Sequence, residues 1–243
     1  MGEALLWGAV ASSSLVAGGL VALRVRIGNL VLGLIMAFGT GVLISAVAYE
    51  LVEEAFDTSA GSGGVALGLT CGSLAFFAGD LVIDRMGGAD RKRSRATHTG
   101  GTALAIVLGI VLDGIPESIV LGLTVLTGGG VSAAVLAAVF LSNLPESIAA
   151  TVGLRAAGWS PGRIIGLWLL VTAVAGIASV AGYVLLDGAS PGTIAFVLAF
   201  AGGAILTMLA DTMMPEAFAH GGRYVGLATT AGFGLAFAIS EIG

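Results

Sequence analysis

Leu112-Asp113-Gly114-Ile115-Pro116-Glu117-Ser118 and Leu141-Ser142-Asn143-Leu144-Pro145-Glu146-Ser147 decide how this chain is read. Each lies about half way along an apolar run, the first within Thr102–Leu126 and the second within Val131–Leu154. Roughly 20 apolar residues in a row suffice for a helix to cross a bilayer. An acid at the centre of such a helix costs at least roughly 2.5–3.5 kcal/mol, so it faces a cavity or a partner. No Lys or Arg lies at this depth to neutralise Asp113, Glu117 or Glu146. Either these acids are protonated or a cation sits among them.

The spacing favours the cation. Asp113 and Glu117 are one helical turn apart and share a face, and Ser142 and Glu146 repeat that step. Each proline removes a backbone N–H and so frees the carbonyl of the residue one turn earlier, Leu112 or Leu141. Freed carbonyls at membrane depth are tolerated where they line a cavity. Two such helices face to face offer three carboxylates, the Ser142 hydroxyl, the Asn143 amide oxygen and backbone carbonyls, an oxygen-rich cation site. Polar glue between helices is the competing account, and it is the one adopted here for Ser118 and Ser147.

The rest of the chain agrees with a membrane setting. Of 243 residues, 57% are hydrophobic and only 10% charged, and mean hydropathy is +1.04. A soluble domain carries about 25% charged residues to wet its surface. The 40 glycines allow helices to approach closely. The lone Cys71 excludes an intrachain disulfide and a multi-cysteine metal site. The first apolar run follows Glu3 rather than basic residues and lacks a clear small-residue cleavage site, so it reads as a mature span, not a signal peptide.

Eight spans are expected: Ala4–Leu23, Leu30–Leu51, Gly64–Ile83, Thr102–Leu126, Val131–Leu154, Ile164–Leu186, Thr193–Met214 and Val225–Ile242. Together they make residues 1–243 one all-α transmembrane domain, with a basic cytoplasmic loop at 85–101. Every basic residue falls in the joints after odd-numbered spans: Arg24 and Arg26; Arg85, Arg91, Lys92, Arg93 and Arg95; Arg155 and Arg163; Arg223. The positive-inside rule makes that side cytoplasmic and puts both termini outside, as expected of a multi-pass protein of a plasma or inner cell membrane. The outer side holds Glu3, Glu53, Glu54, Asp57, Asp187 and Glu241.

Two internal repeats emerge. Ala37–Phe56 aligns with Ala199–Phe218 without gaps, with identities at Ala37/Ala199, Phe38/Phe200, Gly41/Gly203, Ala48/Ala210, Glu54/Glu216, Ala55/Ala217 and Phe56/Phe218. These spans run in opposite directions, which makes the repeat inverted. Spans four and five share Leu112/Leu141 and the Pro-Glu-Ser-Ile run that starts at Pro116 and Pro145. A 3+2+3 arrangement follows, a plan in which transporters place their sites near the midplane.

With both Pro-Glu motifs, the span count, the outside termini and the basic loop after span three, nearly the whole chain resembles the ZIP (Zrt/Irt-like) family of divalent-metal transporters. That family carries a His-Asn-x-Pro-Glu-Gly type motif in its fourth span and a His-x-x-Pro-Glu type motif in its fifth. Asp211-Thr212-Met213-Met214-Pro215 is also similar to its acidic segment before a Pro. The resemblance implies a metal site of Asp113, Glu117, Ser142, Asn143 and Glu146. Glu117 and Glu146 match the motif residue for residue. Asp113 and Ser142 stand where histidines are expected, and Gly114 where Asn is. Ala175 stands roughly where the sixth span often carries a Glu. Without imidazoles the site should favour harder ions, Mn²⁺ or Fe²⁺, or move Zn²⁺ weakly.

Glu50 and Asp211 are expected along the pathway. His98 and His220 fall in cytoplasmic joints and are read as incidental. The divalent ion is substrate, with no organic cofactor. The partners expected are the lipid bilayer and the ion; nucleic acid is not, and a homodimer stays open. Two alternatives remain: a proton-coupled carrier of a small organic solute using the same carboxylates, and a metal-binding relative that transports poorly. An enzyme is not expected. A zinc protease needs His-Glu-x-x-His, which is absent, and Asp113 with Asp211 lack the Gly-x-Gly-Asp context of an intramembrane aspartyl protease.

Overall fold

A computed structural model describes residues 1–59, 63–85, 102–127 and 131–240, the side chains of 102–106 and 127 excepted. The basic run Arg91–Arg95, His98 and Glu241 lie outside the described residues. Among those described, every regular element is helical. The elements are α1 (Gly2–Arg24), α2 (Asn29–Ala46), α3 (Glu54–Thr58), α4 (Gly64–Ile83), α5 (Thr102–Thr127), α6 (Ala133–Ala156), α7 (Pro161–Leu186), α8 (Pro191–Met208), α9 (Met214–Gly221) and α10 (Val225–Ser240). A π-helical turn, Val47–Glu53, joins α2 to α3, and another, Leu209–Met213, joins α8 to α9.

The helix starts have local causes. Ser160-Pro161 and Ser190-Pro191 open α7 and α8, each serine accepting the backbone N–H of the third helical residue while proline takes a first-turn position that needs no donor. Ser132 caps α6 by accepting from the Val135 N–H. The polypeptide stays helical through both internal prolines, Pro116 and Pro145.

Among the described residues, seven stretches are long and apolar enough to cross a membrane, and the last, Pro191–Ser240, is 50 residues long. At 1.5 Å per residue that is about 75 Å, far more than a core of about 30 Å requires. The stretch doubles back. Gly39 of α2 lies beside Met213, and Gly33 of α2 lies against Gly221. Then Ser240, at the far end of α10, reaches Glu50 beyond the end of α2. So α9 runs against α2 and α10 runs along it. The reversal is made at Gly222, whose φ of 56° and ψ of −137° suit glycine. The second expected span also differs: helix continues past Leu51 to Thr58, through the π turn.

Two bundles result. Helices α1, α5, α6 and α7 pack around one another, and α2, α4, α8 and α10 form the second group, the two meeting mainly where α2 touches α6. Glycine decides the closest approaches. A methyl group on Gly41 would collide with the Thr229 carbonyl, and one on Gly232 with the Phe38 carbonyl. The same two contacts recur between α8 and α4, where Gly203 meets the Leu69 carbonyl and Gly72 meets that of Phe200. Phe38 and Gly41 are thus matched with Phe200 and Gly203, as in the aligned sequences. The π turns start at one further matched pair, Val47 and Leu209. Small residues of this kind let membrane helices pack by close contact where water drives nothing.

Bundle one is closed in the same way. Gly122 of α5 meets the Ser179 carbonyl of α7, and Gly18 of α1 meets Ser147 and the Leu144 carbonyl of α6. Trp168, fully buried, lies over Gly19 and donates its indole N–H to Thr151 Oγ1 at 2.9 Å. Along the seam between bundles the approach is looser. A methyl on Gly39 would stand 3.3 Å from the Leu141 carbonyl, and one on Gly79 3.1 Å from the Leu112 side chain.

Candidate functional site

The two prolines set the site. A helix that contains proline loses one ladder bond, and the polar residues beside Pro116 and Pro145 sit on that weakened turn. Because α5 and α6 follow each other through a short joint, they run in opposite senses. The step Asp113 to Glu117 therefore climbs while the step Ser142 to Glu146 descends. That places Glu117 at the level of Ser142, and the Ser142 hydroxyl lies 3.5 Å from Glu117 Oε1. The same hydroxyl is 3.0 Å from the Val139 carbonyl. A hydroxyl has one proton to give, and the shorter contact takes it, so the carboxylate is held only weakly from that side.

Burial is nearly complete. Glu117 is 2% exposed, Asp113 9%, Asn143 5% and Ser142 0%. Glu146 is half-buried, and its Oε1 is shielded from solvent with no hydrogen-bond partner. Asp113 and Glu117 lie within electrostatic reach of each other and of Glu146. Like charges crowded in a low-dielectric interior repel strongly, so the group needs either protons or a cation.

The expected residues are thus brought together in part. Asp113, Glu117, Ser142 and Glu146 share one region between α5 and α6, with Asn143 buried on α6 beside them. Among the described residues, no three His, Cys, Asp or Glu side chains converge closely enough to hold a metal ion. Glu50 and Asp211 stand apart from the group, in the two π turns. Glu50 accepts hydrogen bonds from Ser132 and Ser240, and Asp211 is half-buried. Ser118 and Ser147 do not act as glue between helices through their hydroxyls. Ser118 donates to the Gly114 carbonyl at 2.7 Å and Ser147 to that of Leu144 at 2.9 Å, each within its own helix. A serine within a helix readily bonds back to a carbonyl three or four residues earlier. Ala175 is buried on α7.

A narrow cleft adjoins Glu117, with about 10 Å³ of room, the space of one water. Its other walls are apolar: Leu43, Ala46, Val47 and Leu51 from α2 and its π turn, Val120 from α5, Val135, Ala138 and Val139 from α6, and Ile205 from α8. It lies at the seam between the bundles, with Glu117 the one acid among its described lining residues.

One acid was missed by the sequence reading. Glu216 on α9 also lies within electrostatic reach of Glu146. It follows Pro215, the third Pro-Glu pair among only 5 prolines, and that recurrence was the available signal. His220, one turn on, places Nδ1 2.9 Å from the Glu216 carbonyl, a local helical contact.

No protein-family model matches the chain, and no curated protein matches it.

Proposed function

We propose that this chain is a transporter of divalent metal cations, a divergent relative of the ZIP family that has lost the transport-site histidines. The observation that carries the reading is the gathering of Asp113, Glu117 and Glu146 between two proline-containing helices, in an apolar interior, beside the seam of two bundles. A buried acid group of this kind in a membrane marks an ion or proton path.

In this reading the chain crosses the membrane eight times in a 3+2+3 order, both termini outside, with α8–α9 and α10 as separate crossings. The reversal at Gly222 and the matched glycine contacts of α2–α10 and α8–α4 support that count and an inverted repeat. The cation loses most of its water and is taken by Glu117, Asp113 and Glu146, with Ser142, Asn143 and the freed Leu112 and Leu141 carbonyls as further oxygens. The charge of the ion offsets the repulsion among the carboxylates. The two bundles then slide or rock along the loose seam, so that the site faces either side in turn. An all-oxygen donor set lacks the imidazoles that suit Zn²⁺ and is of the kind that suits Mn²⁺, so the preference for Zn²⁺ is weakened relative to a histidine-bearing site.

A second reading has its own support. Since no three acidic or imidazole side chains converge among the described residues, the same acids could carry protons for a small organic solute. Flux into liposomes across a panel of divalent ions, paired with calorimetric metal binding to purified protein, separates the two. Saturable Mn²⁺ or Fe²⁺ uptake with matching binding heat is expected; proton flux without metal binding would give the site to the carrier.

A further inference from the structure

A further acid, Glu50, stands next to the cleft-lining Leu51 and is not in the cluster. Glu50 lies in the π turn that follows α2, and each of its two carboxylate oxygens takes a hydroxyl from a different helix. Ser132 donates to Oε2 at 2.7 Å, and Ser240 donates to Oε1. Ser240 closes α10, which belongs to the same bundle as α2. Ser132 caps α6, which belongs to the other. Glu50 is therefore bonded across the seam on one side only.

Its position gives that bond leverage. Leu51, next to Glu50, and Val135, the first-turn residue of α6 whose N–H Ser132 caps, both line the cleft that adjoins Glu117. The Ser132 hydroxyl uses both of its capacities here. Its lone pair accepts from Val135, and its proton goes to Glu50. Tyr49 packs edge-on against Phe233 and tilted against Phe237 of α10, with ring centroids 6.2 and 5.2 Å apart, which anchors the π turn to its own bundle. A π turn shifts the register of the side chains that follow and so re-aims them; here it presents a carboxylate to the neighbouring bundle.

We infer that the Glu50–Ser132 bond is a latch that holds the two bundles together over the cleft, and that Glu50 is a positioning residue rather than a ligand. Separation of α6 from α2 requires this charge-assisted bond to break, and the apolar contact of Val47, Leu51, Val135 and Val139 opens with it. The latch stands on this hydrogen bond and the contacts around it, and holds whether or not the chain carries metal.

The test is the accessibility of the cleft. Ala138, 1% exposed on the cleft wall, is replaced by Cys in a Cys71→Ala background. The rate of its modification by a water-soluble thiol reagent is read in nanodiscs without metal, where both faces are open. A hydrogen bond to a charged group is worth enough that its loss should raise that rate by at least about ten-fold in Glu50→Ala. Ser132→Asp keeps the cap but sets a second carboxylate against Glu50, so it too should be fast. Ser132→Asn keeps the cap and a donor and should stay within about two-fold of the parent. Ser240→Ala removes a bond inside one bundle and should leave the rate unchanged. Equal rates for Ser132→Asp and Ser132→Asn, or a Ser240→Ala rate as high as that of Glu50→Ala, would overturn the latch. Failure of metal uptake would leave these rates as they are.

Discussion

Glu117 and Ser142 face each other across α5 and α6 at 3.5 Å, with the hydroxyl closer to the Val139 carbonyl of its own helix than to the carboxylate. A carboxylate so weakly held, at 2% exposure, keeps acceptor capacity in reserve for another positive group.

Removing that capacity should abolish transport and spare the fold. Glu117→Gln is nearly isosteric and removes a charge that costs energy to bury. Metal-driven flux into liposomes is expected to fall to background while the melting temperature holds or rises. A variant that retains flux would remove Glu117 from the site.

Ion preference should follow the donor atoms. Ser142→His puts an imidazole beside Glu117, and imidazole suits Zn²⁺ better than it suits Mn²⁺. The ratio of Zn²⁺ to Mn²⁺ uptake is expected to rise about ten-fold or more, at least the scale on which changes just outside the ligands alter metal affinity. An unchanged ratio across a competition assay would place Ser142 outside the coordination sphere.

The paired glycine contacts make a symmetrical prediction about stability. Gly72→Ala and Gly232→Ala each drive a methyl into a backbone carbonyl of the partner helix, and overpacking of this kind costs about 1–3 kcal/mol. Both should lower the thermal midpoint by similar amounts. Gly166→Ala, which meets nothing within 4 Å, should be neutral or stabilising by up to about 1 kcal/mol through helix propensity.

Trp168 offers a test within bundle one. Thr151→Val leaves the buried indole N–H without its acceptor, at a cost of about 1–3 kcal/mol. Thr151→Ser keeps the acceptor and should recover most of the loss in the same melting experiment.

Much of this was readable in the residues. The runs that became α1, α4 and α7 differ from their expected limits by at most three residues at either end, because apolar length is a local signal. The Pro-Glu motifs located the acid cluster, because an acid inside an apolar run is conspicuous wherever the chain goes. What stayed hidden depends on contacts between distant segments. The π turns at Val47 and Leu209 leave no mark in composition, since only the partner of each backbone bond changes. The division into bundles follows from which glycine meets which carbonyl. Ser132 reads as an ordinary cap until Glu50 is seen to reach it. The Ser118 and Ser147 hydroxyls bond within their own helices rather than across a contact, although Ser147 does pack against Gly18 of α1, because a hydroxyl's choice between its own helix and a neighbour turns on fractions of an ångström.

The distribution of bare backbone contacts has a mechanical consequence. Where carbonyl abuts glycine, nothing can yield without breaking the helix, so each group of helices resists deformation as a stiff block. Along the junction of α2 with α6 the backbones stand further apart, so that a methyl on Gly39 would still be 3.3 Å from the Leu141 carbonyl, and the cleft beside it is walled by side chains that can rotate and slip. Compliance is therefore concentrated in a single direction, and a stress from the surrounding lipid would be relieved there before any helix bends.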